Sequence, residues 1–176
     1  MIYILMGPPG SGKGTVALKI KEKYGYSVMS IGDILRNEID KGTMLGKRAD
    51  RFVSAGELVP DDIVNFLVED GLNQLRPDET VFLDGYPRTL NQAENLKEIS
   101  KTQPVVFYLD IDKAILLDRL SKRKRDDDSE ETIEQRFKTY HKKTLPLLDY
   151  YRKNGTVIKV NEETSKKAFQ VIEKYF

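Results

Sequence analysis

Two short stretches hold the residue types that chemistry on phosphate needs. The first is Gly7 to Thr15, GPPGSGKGT, in which Gly7, Gly12 and Lys13 satisfy G-x-x-x-x-G-K between an apolar β-rich run and a helical pattern. Glycines let backbone N–H groups converge on phosphate oxygens, a helix that follows adds its positive N-terminal end, and Lys13 supplies a mobile point charge for the β and γ phosphates. A dinucleotide fingerprint fits worse, because Gly10, Gly12 and Gly14 are spaced one residue short of G-x-G-x-x-G. The generic pattern puts Ser or Thr straight after the lysine to hold Mg²⁺, whereas here Gly14 intervenes and the hydroxyl arrives at Thr15.

The second stretch is Leu120 to Glu131, LSKRKRDDDSEE, nine of whose twelve residues are charged, basic first and acidic after. A charge run of this kind is usually a solvated loop. Asp128 and Glu131 also read as a D-x-x-E capping box for a helix starting near Ser129, which needs no ligand. Lys122 and Lys124 read as solvated charges.

The elements that must position these residues are legible. Short β-rich runs at 2–6, 26–30, 80–84, 104–110 and 156–160 alternate with helical patterns, which predicts a five-stranded parallel sheet flanked by helices. Apolar residues at three- and four-residue spacing predict helices over Val16–Tyr24, Asp61–Leu75, Leu90–Ile99 and Ile115–Leu120. The 50-residue gap between the second and third strands is too long for a simple crossover and reads as an insertion of helices, Gly32–Lys41, Leu45–Ala55 and Asp61–Leu75. Asp84 ends the third strand beside the phosphate loop, where a carboxylate can hold Mg²⁺ or its water shell.

Composition limits the alternatives. The chain has 176 residues, 39% of them hydrophobic, the length of one ordinary domain with a core of its own. A formal charge of +1 gives no sequence-wide excess for nucleic acid or an anionic membrane, so any anion site is local. Cysteine is absent, which removes disulfides, thiolate catalysis and Cys-based zinc sites and suits a reducing compartment. The N-terminal apolar run, Ile2 to Met6, is too short for a signal-peptide core or a membrane span, so a cytoplasmic protein is expected.

The GKGT variant is where the chain begins to resemble the adenylate kinases, within the nucleoside monophosphate kinase family, and the resemblance runs its full length. SIGDILR at 30–36, GELVPDDIV at 56–64, DGYPRTLNQAE at 84–94 and RDDDSEETIEQRFKTYH at 125–141 are similar to that family's segments, in its order. The resemblance implies an α/β P-loop NTPase fold in one kinase domain, with a helical monophosphate-binding insertion at about 30–59 and a short lid at about 120–128. It implies reversible, Mg²⁺-dependent transfer between ATP and AMP to give two ADP, by a cytoplasmic monomer with no zinc.

By the same resemblance ATP is bound by Gly10, Ser11, Gly12, Lys13, Gly14 and Thr15, with Arg119 stacking on its adenine and Arg123 on its phosphates. AMP falls to Ile31, Arg36, the Glu57–Leu58–Val59 stretch, the turn Gly85–Tyr86–Pro87–Arg88, Gln92, Arg125 and Arg136. Lys13, Arg88, Arg123, Arg125 and Arg136 become catalytic, Asp84 and Thr15 the Mg²⁺ site through water, and Asp127 and Asp128 match the family's acidic pair. Arginine suits the phosphate clamp formed by Arg36 and Arg88 because its planar fork binds phosphate bidentately. Gln92 suits base recognition because its amide both donates and accepts.

Two features depart from the family. Ile31 stands where Thr is usual and makes no hydroxyl contact to a base, as in the related pyrimidine monophosphate kinases, so a UMP/CMP kinase is the alternative. TLNQ at 89–92 is similar to the adenylate kinase form. The lid is also shorter than the family's long and short versions. A non-catalytic nucleotide-binding switch is the remaining reading, one with no need of Arg36, Arg88, Arg123, Arg125 and Arg136 beside Asp84.

Overall fold

The computed structural model describes residues 1–100, 102–123, 125 and 127–176. Lys124, read above as a solvated charge, lies outside the described residues. Five strands, β1 (Ile2–Met6), β2 (Ser27–Ser30), β3 (Val81–Asp84), β4 (Val105–Leu109) and β5 (Thr156–Val160), form one parallel sheet in the order β2-β3-β1-β4-β5. Each is an apolar run with helices on both faces, as a parallel sheet requires.

The alternation along β1 shows how the two faces divide. Tyr3 and Leu5 pack with Val16, Ala17 and Ile20 of α1 (Lys13–Tyr24), while Ile4 and Met6 point into a second core. That second core takes residues from α2 (Ile31–Asp40), α3 (Met44–Ser54), α4 (Asp61–Asn73) and α5 (Leu90–Ile99). α6 (Lys113–Lys122) and α7 (Glu130–Thr139) bracket the charged stretch, and α8 (Leu147–Asn154) and α9 (Ser165–Ile172) complete the layers. No helix among the described residues is long and apolar enough to cross a membrane.

The expected helices are present, with edges set by local chemistry. α5 spans the expected range, begun by the Thr89 hydroxyl accepting from the Gln92 N–H. α1 starts three residues earlier than its apolar spacing suggests, because Gly12 adopts φ 90° and turns the chain directly from the loop into the helix. Asp112 caps α6 and Thr43 caps α3, each side chain accepting from a first-turn N–H. α8 and α9 were not among the sequence expectations. The capping-box reading of Asp128 is overturned: Ser129 caps α7 by accepting from Thr132 N, and the Asp128 carboxylate binds arginines instead. Three charge-assisted bonds outweigh one bond to a neutral N–H.

Candidate active site

All five strands run in the same direction, so their C-terminal ends share one edge, and the loops leaving β1 and β3 meet there. Leu5 of β1 pairs with Asp84 of β3, bringing Gly7–Thr15 beside Asp84–Arg88. A cleft of about 640 Å³ opens above this edge. Its walls include the phosphate loop, the start of α2, residues 56–59, the turn after β3, the ends of α6 and α7, and Ser165.

The phosphate loop is preshaped around its lysine. Lys13 Nζ donates to Gly7 O at 2.9 Å, Pro8 O at 3.0 Å and the Ser11 hydroxyl at 3.1 Å, which folds the side chain back over the loop. Burial pushes the Lys13 ammonium down to about 8; Asp84 opposes that shift, and Arg88, Arg123 and Arg125 add to it. Gly10, Gly12, Gly14 and Thr15 line the cleft, while Ser11 is buried beneath it as a partner for Lys13.

Asp84 lies at the cleft floor, where burial raises its pKa against the opposing charges of Lys13 and Arg88. Gly14 lies against it: a Cβ there would stand 3.6 Å from Asp84 Oδ2, in ordinary van der Waals contact. The residues fit Mg²⁺, which takes one or two carboxylates, keeps several waters and draws its other ligands from substrate phosphates. Asp84 offers that carboxylate and Thr15 a hydroxyl on the same cleft.

Arg88 is held from three directions. Its backbone N–H donates to Gln92 Oε1 at 2.7 Å, its carbonyl accepts from the Thr144 hydroxyl at 3.0 Å, and its Nε donates to Gly85 O at 2.9 Å. Gly85 is required for this fold-back, with φ 79° and its missing Cβ placed 2.8 Å from Arg88 Nη2. Thr144 reaches Arg88 from a π-wound turn, Tyr140–Thr144, that continues α7. Burial lowers the Arg88 pKa, Asp84 opposes it, and Arg136 and Arg36 add to it.

The remaining arginines are arranged differently. Arg123 grips Asp128 bidentately at 2.5 and 2.7 Å, and Arg136 binds Asp128 at 2.6 Å and also Asp127. Arg36 pairs with Asp33 at 2.5 Å and lies 3.8 Å from Asp127, while Arg125 lies 3.9 Å from Asp33. The Arg36–Asp127 and Arg125–Asp33 pairs therefore cross between α2 and the charged stretch. Burial works to raise the Asp127 carboxyl, but Arg136 and Arg36 hold it below its ordinary value. By contrast, neither Lys13 nor Arg88 has an ion-pair partner among the described residues.

The other sequence candidates divide between the cleft and its support. Ile31, Glu57, Leu58, Val59, Pro87 and Gln92 line the cleft. Tyr86 does not: it is 1% exposed, and its hydroxyl donates to Asn65 Oδ1 and the Gln92 carbonyl at 2.9 Å each, behind the wall. Arg119 donates to Gly10 O at 3.3 Å and to the Glu163 carbonyl, which lays its guanidinium along the phosphate loop. Asp61 and Thr144 escaped the sequence reading because each acts on a residue of another element, and Asp33 because its second partner, Arg125, comes from the charged stretch.

The match to known proteins agrees with this geometry. Residues 5–156 match the protein family described as "Adenylate kinase". The chain belongs to the adenylate kinase family. A protein named adenylate kinase from Mycobacterium tuberculosis is 43% identical over 156 residues, 86% of each chain. One of the same name from Corynebacterium aurimucosum is 39% identical over 175 residues, covering 93% of this chain and 97% of the other. Another, from Archaeoglobus fulgidus, is 37% identical over 196 residues, covering 92% and 90%. Membership of the adenylate kinase family makes the chain a phosphotransferase acting on nucleotides, and the five-stranded parallel sheet with its phosphate loop is the corresponding P-loop NTPase fold.

Proposed function

We propose that the chain transfers the γ-phosphoryl group of ATP to AMP, reversibly and with Mg²⁺, giving two ADP. The observation that carries this reading is the pair of partly buried cations, Lys13 and Arg88, that line one cleft and have no ion-pair partner among the described residues. An unpaired cation drawn away from water is unfavourable unless an anion completes it, and the charges of both act on the buried Asp84 carboxylate at the end of β3.

Lys13 and the phosphate-loop amides hold the triphosphate, with Arg119 against its base. α2, α3 and residues 56–59, within the insertion at about 30–59, hold the monophosphate, and Arg36 and Arg88 clamp its phosphate. The stretch at about 120–128 serves as the lid. Its Arg123 and Arg125, with Arg136 from α7, exchange the aspartates that neutralise them for phosphate oxygens. Mg²⁺ held by Asp84 and Thr15 through water would neutralise charge on the triphosphate.

An oxygen of the AMP phosphate attacks the γ phosphorus, and the bond to the β–γ bridging oxygen breaks. No side chain is needed as a base, because that acceptor oxygen is already anionic near pH 7. Catalysis rests on alignment and charge neutralisation. In this reading the protein is a cytoplasmic monomer acting on free nucleotides.

Purified protein incubated with Mg-ATP and, separately, AMP, UMP, CMP, GMP or no acceptor tests the reading by chromatography of the products. AMP-dependent ADP formation well above every other arm is expected. Preference for UMP or CMP would assign Ile31 a role in pyrimidine selection, and ATP binding without transfer would leave a nucleotide-binding switch. The arm without acceptor should show slow ATP hydrolysis, since a lid this short excludes water poorly.

A further inference from the structure

The Gln92 carboxamide is tied at both ends. Its Nε2 donates to Asp61 Oδ1 at 2.7 Å, and its Oε1 accepts from the Arg88 N–H at 2.7 Å. A carboxylate only accepts and a backbone N–H only donates, so half a turn of the amide would set oxygen against oxygen and hydrogen against hydrogen. The partners thus fix which end is which. Asp61, the first residue of α4, is itself held: its Oδ2 accepts from the Thr89 hydroxyl at 2.8 Å, and that hydroxyl accepts from Gln92 N at 3.2 Å.

Gln92 is 2% exposed yet lines the cleft. A carboxamide has two protons and two strong acceptor lone pairs. The bonds above use one of each, and among the described residues nothing takes the other two. They form a donor and an acceptor in a fixed order.

We propose that Asp61 is a positioning residue that sets base preference by locking the Gln92 amide in one orientation. The inference rests on the AMP reading above. Adenine offers an exocyclic amino donor beside a ring-nitrogen acceptor, whereas a 6-oxopurine offers a carbonyl acceptor beside a ring N–H donor. With the monophosphate clamped, a fixed amide complements only one of these edges. An amide free to turn complements both.

The test compares wild type with Asp61→Asn and Asp61→Glu, using Mg-ATP with AMP or IMP as acceptor. Asparagine either donates or accepts, so it releases the lock. The ratio of kcat/KM for AMP over IMP should fall about tenfold or more in Asp61→Asn, through KM for the acceptor, with KM for ATP within about twofold. Asp61→Glu should restore part of the ratio. An unchanged ratio, or equal losses for both acceptors with KM for ATP raised alike, overturns the proposal. Absence of transfer in wild type would instead remove the AMP reading.

If the asparagine variant does not fold, side-chain amide NMR of the wild-type protein decides. One Gln92 Nε2 proton should resonate well downfield and exchange slowly with solvent. Two ordinary, rapidly exchanging protons would overturn the lock.

Discussion

Arg88→Met should lower kcat/KM for AMP by about 10³-fold or more while leaving the fold intact, the scale on which a phosphate-reaching arginine acts in phosphoryl transfer. The expectation follows from how the residue is held. Three hydrogen bonds, through N, O and Nε, orient it, and none among the described residues uses the guanidinium Nη atoms, which suits them to a ligand. No carboxylate pairs with it among the described residues, and Asp84, the buried carboxylate that its charge favours, keeps Lys13. The melting temperature should therefore hold or rise. Arg88→Lys should recover little, about a tenth or less of the lost activity, because an ammonium has neither the fork nor the Nε that bonds to Gly85 O. Steady-state kinetics with each substrate varied, beside thermal unfolding, checks both halves; near-wild-type turnover in the methionine variant would contradict the role.

Lys13→Met carries the second large effect, a loss of about 10³-fold or more in kcat with ATP, since the proposed transfer makes the lysine the mobile charge on the transferring phosphates. Its pKa adds a pH signature. In the free protein the ammonium is pushed down to about 8 by burial, so log kcat/KM for ATP should bend downward as pH rises through about 8, approaching tenfold per unit. Bound phosphates raise that pKa again, so kcat itself should stay flat there.

The effect of the same group on stability has the opposite sign. The folded pKa lies below the ordinary 10.5, so the folded protein binds this proton less tightly than the unfolded chain. The charged lysine opposes folding below pH 8, and the opposition fades as pH rises from about 8 to 10.5. Lys13→Met removes it, and near pH 7 the unliganded variant should be more stable by on the order of 1 kcal/mol, after allowance for partial solvent exposure and the lost bonds to Gly7 O and Pro8 O. Denaturant melts at pH 7 and pH 10 check the sign; a variant less stable at pH 7 would contradict it.

The ion pairs of the charged stretch account for the different behaviour expected of its arginines. Asp128 is 2% exposed in its side chain and binds both Arg123 and Arg136, so losing either arginine leaves a buried carboxylate with one partner fewer. In the proposed transfer these residues therefore join stability to function, whereas Lys13 and Arg88 trade one against the other.

The parts of the structure that were readable from the chain are those governed by local rules. Leu90, Ala93, Leu96 and Ile99 share one helical stripe, Thr89 is a good cap, and α5 begins and ends where these place it. The β1 alternation and the Gly7–Thr15 spacing are also local, and they put the phosphate loop at the sheet's C-terminal edge. What stayed hidden depends on neighbours across the fold. Asp128 had a plausible local role as a cap, and the bidentate grip of Arg123 together with the approach of Arg136 from the next helix turned its carboxylate aside. Tyr86 belongs to a motif that lines the cleft, yet the turn points its ring inward to Asn65, 21 residues away. Asp61 lies 31 residues from Gln92, and Thr144 reaches Arg88 from 56 residues away through a π turn with no periodic signature.

The transfer itself is tested most directly by following the label of γ-³²P ATP, mixed with Mg²⁺ and AMP over a single turnover of the purified protein. The account predicts that the label moves to the β position of the ADP formed from AMP, that the ADP formed from ATP is unlabelled, and that little label reaches inorganic phosphate. Label released chiefly as phosphate, or remaining in ATP while nucleotide is bound, would contradict a direct transfer between the two sites.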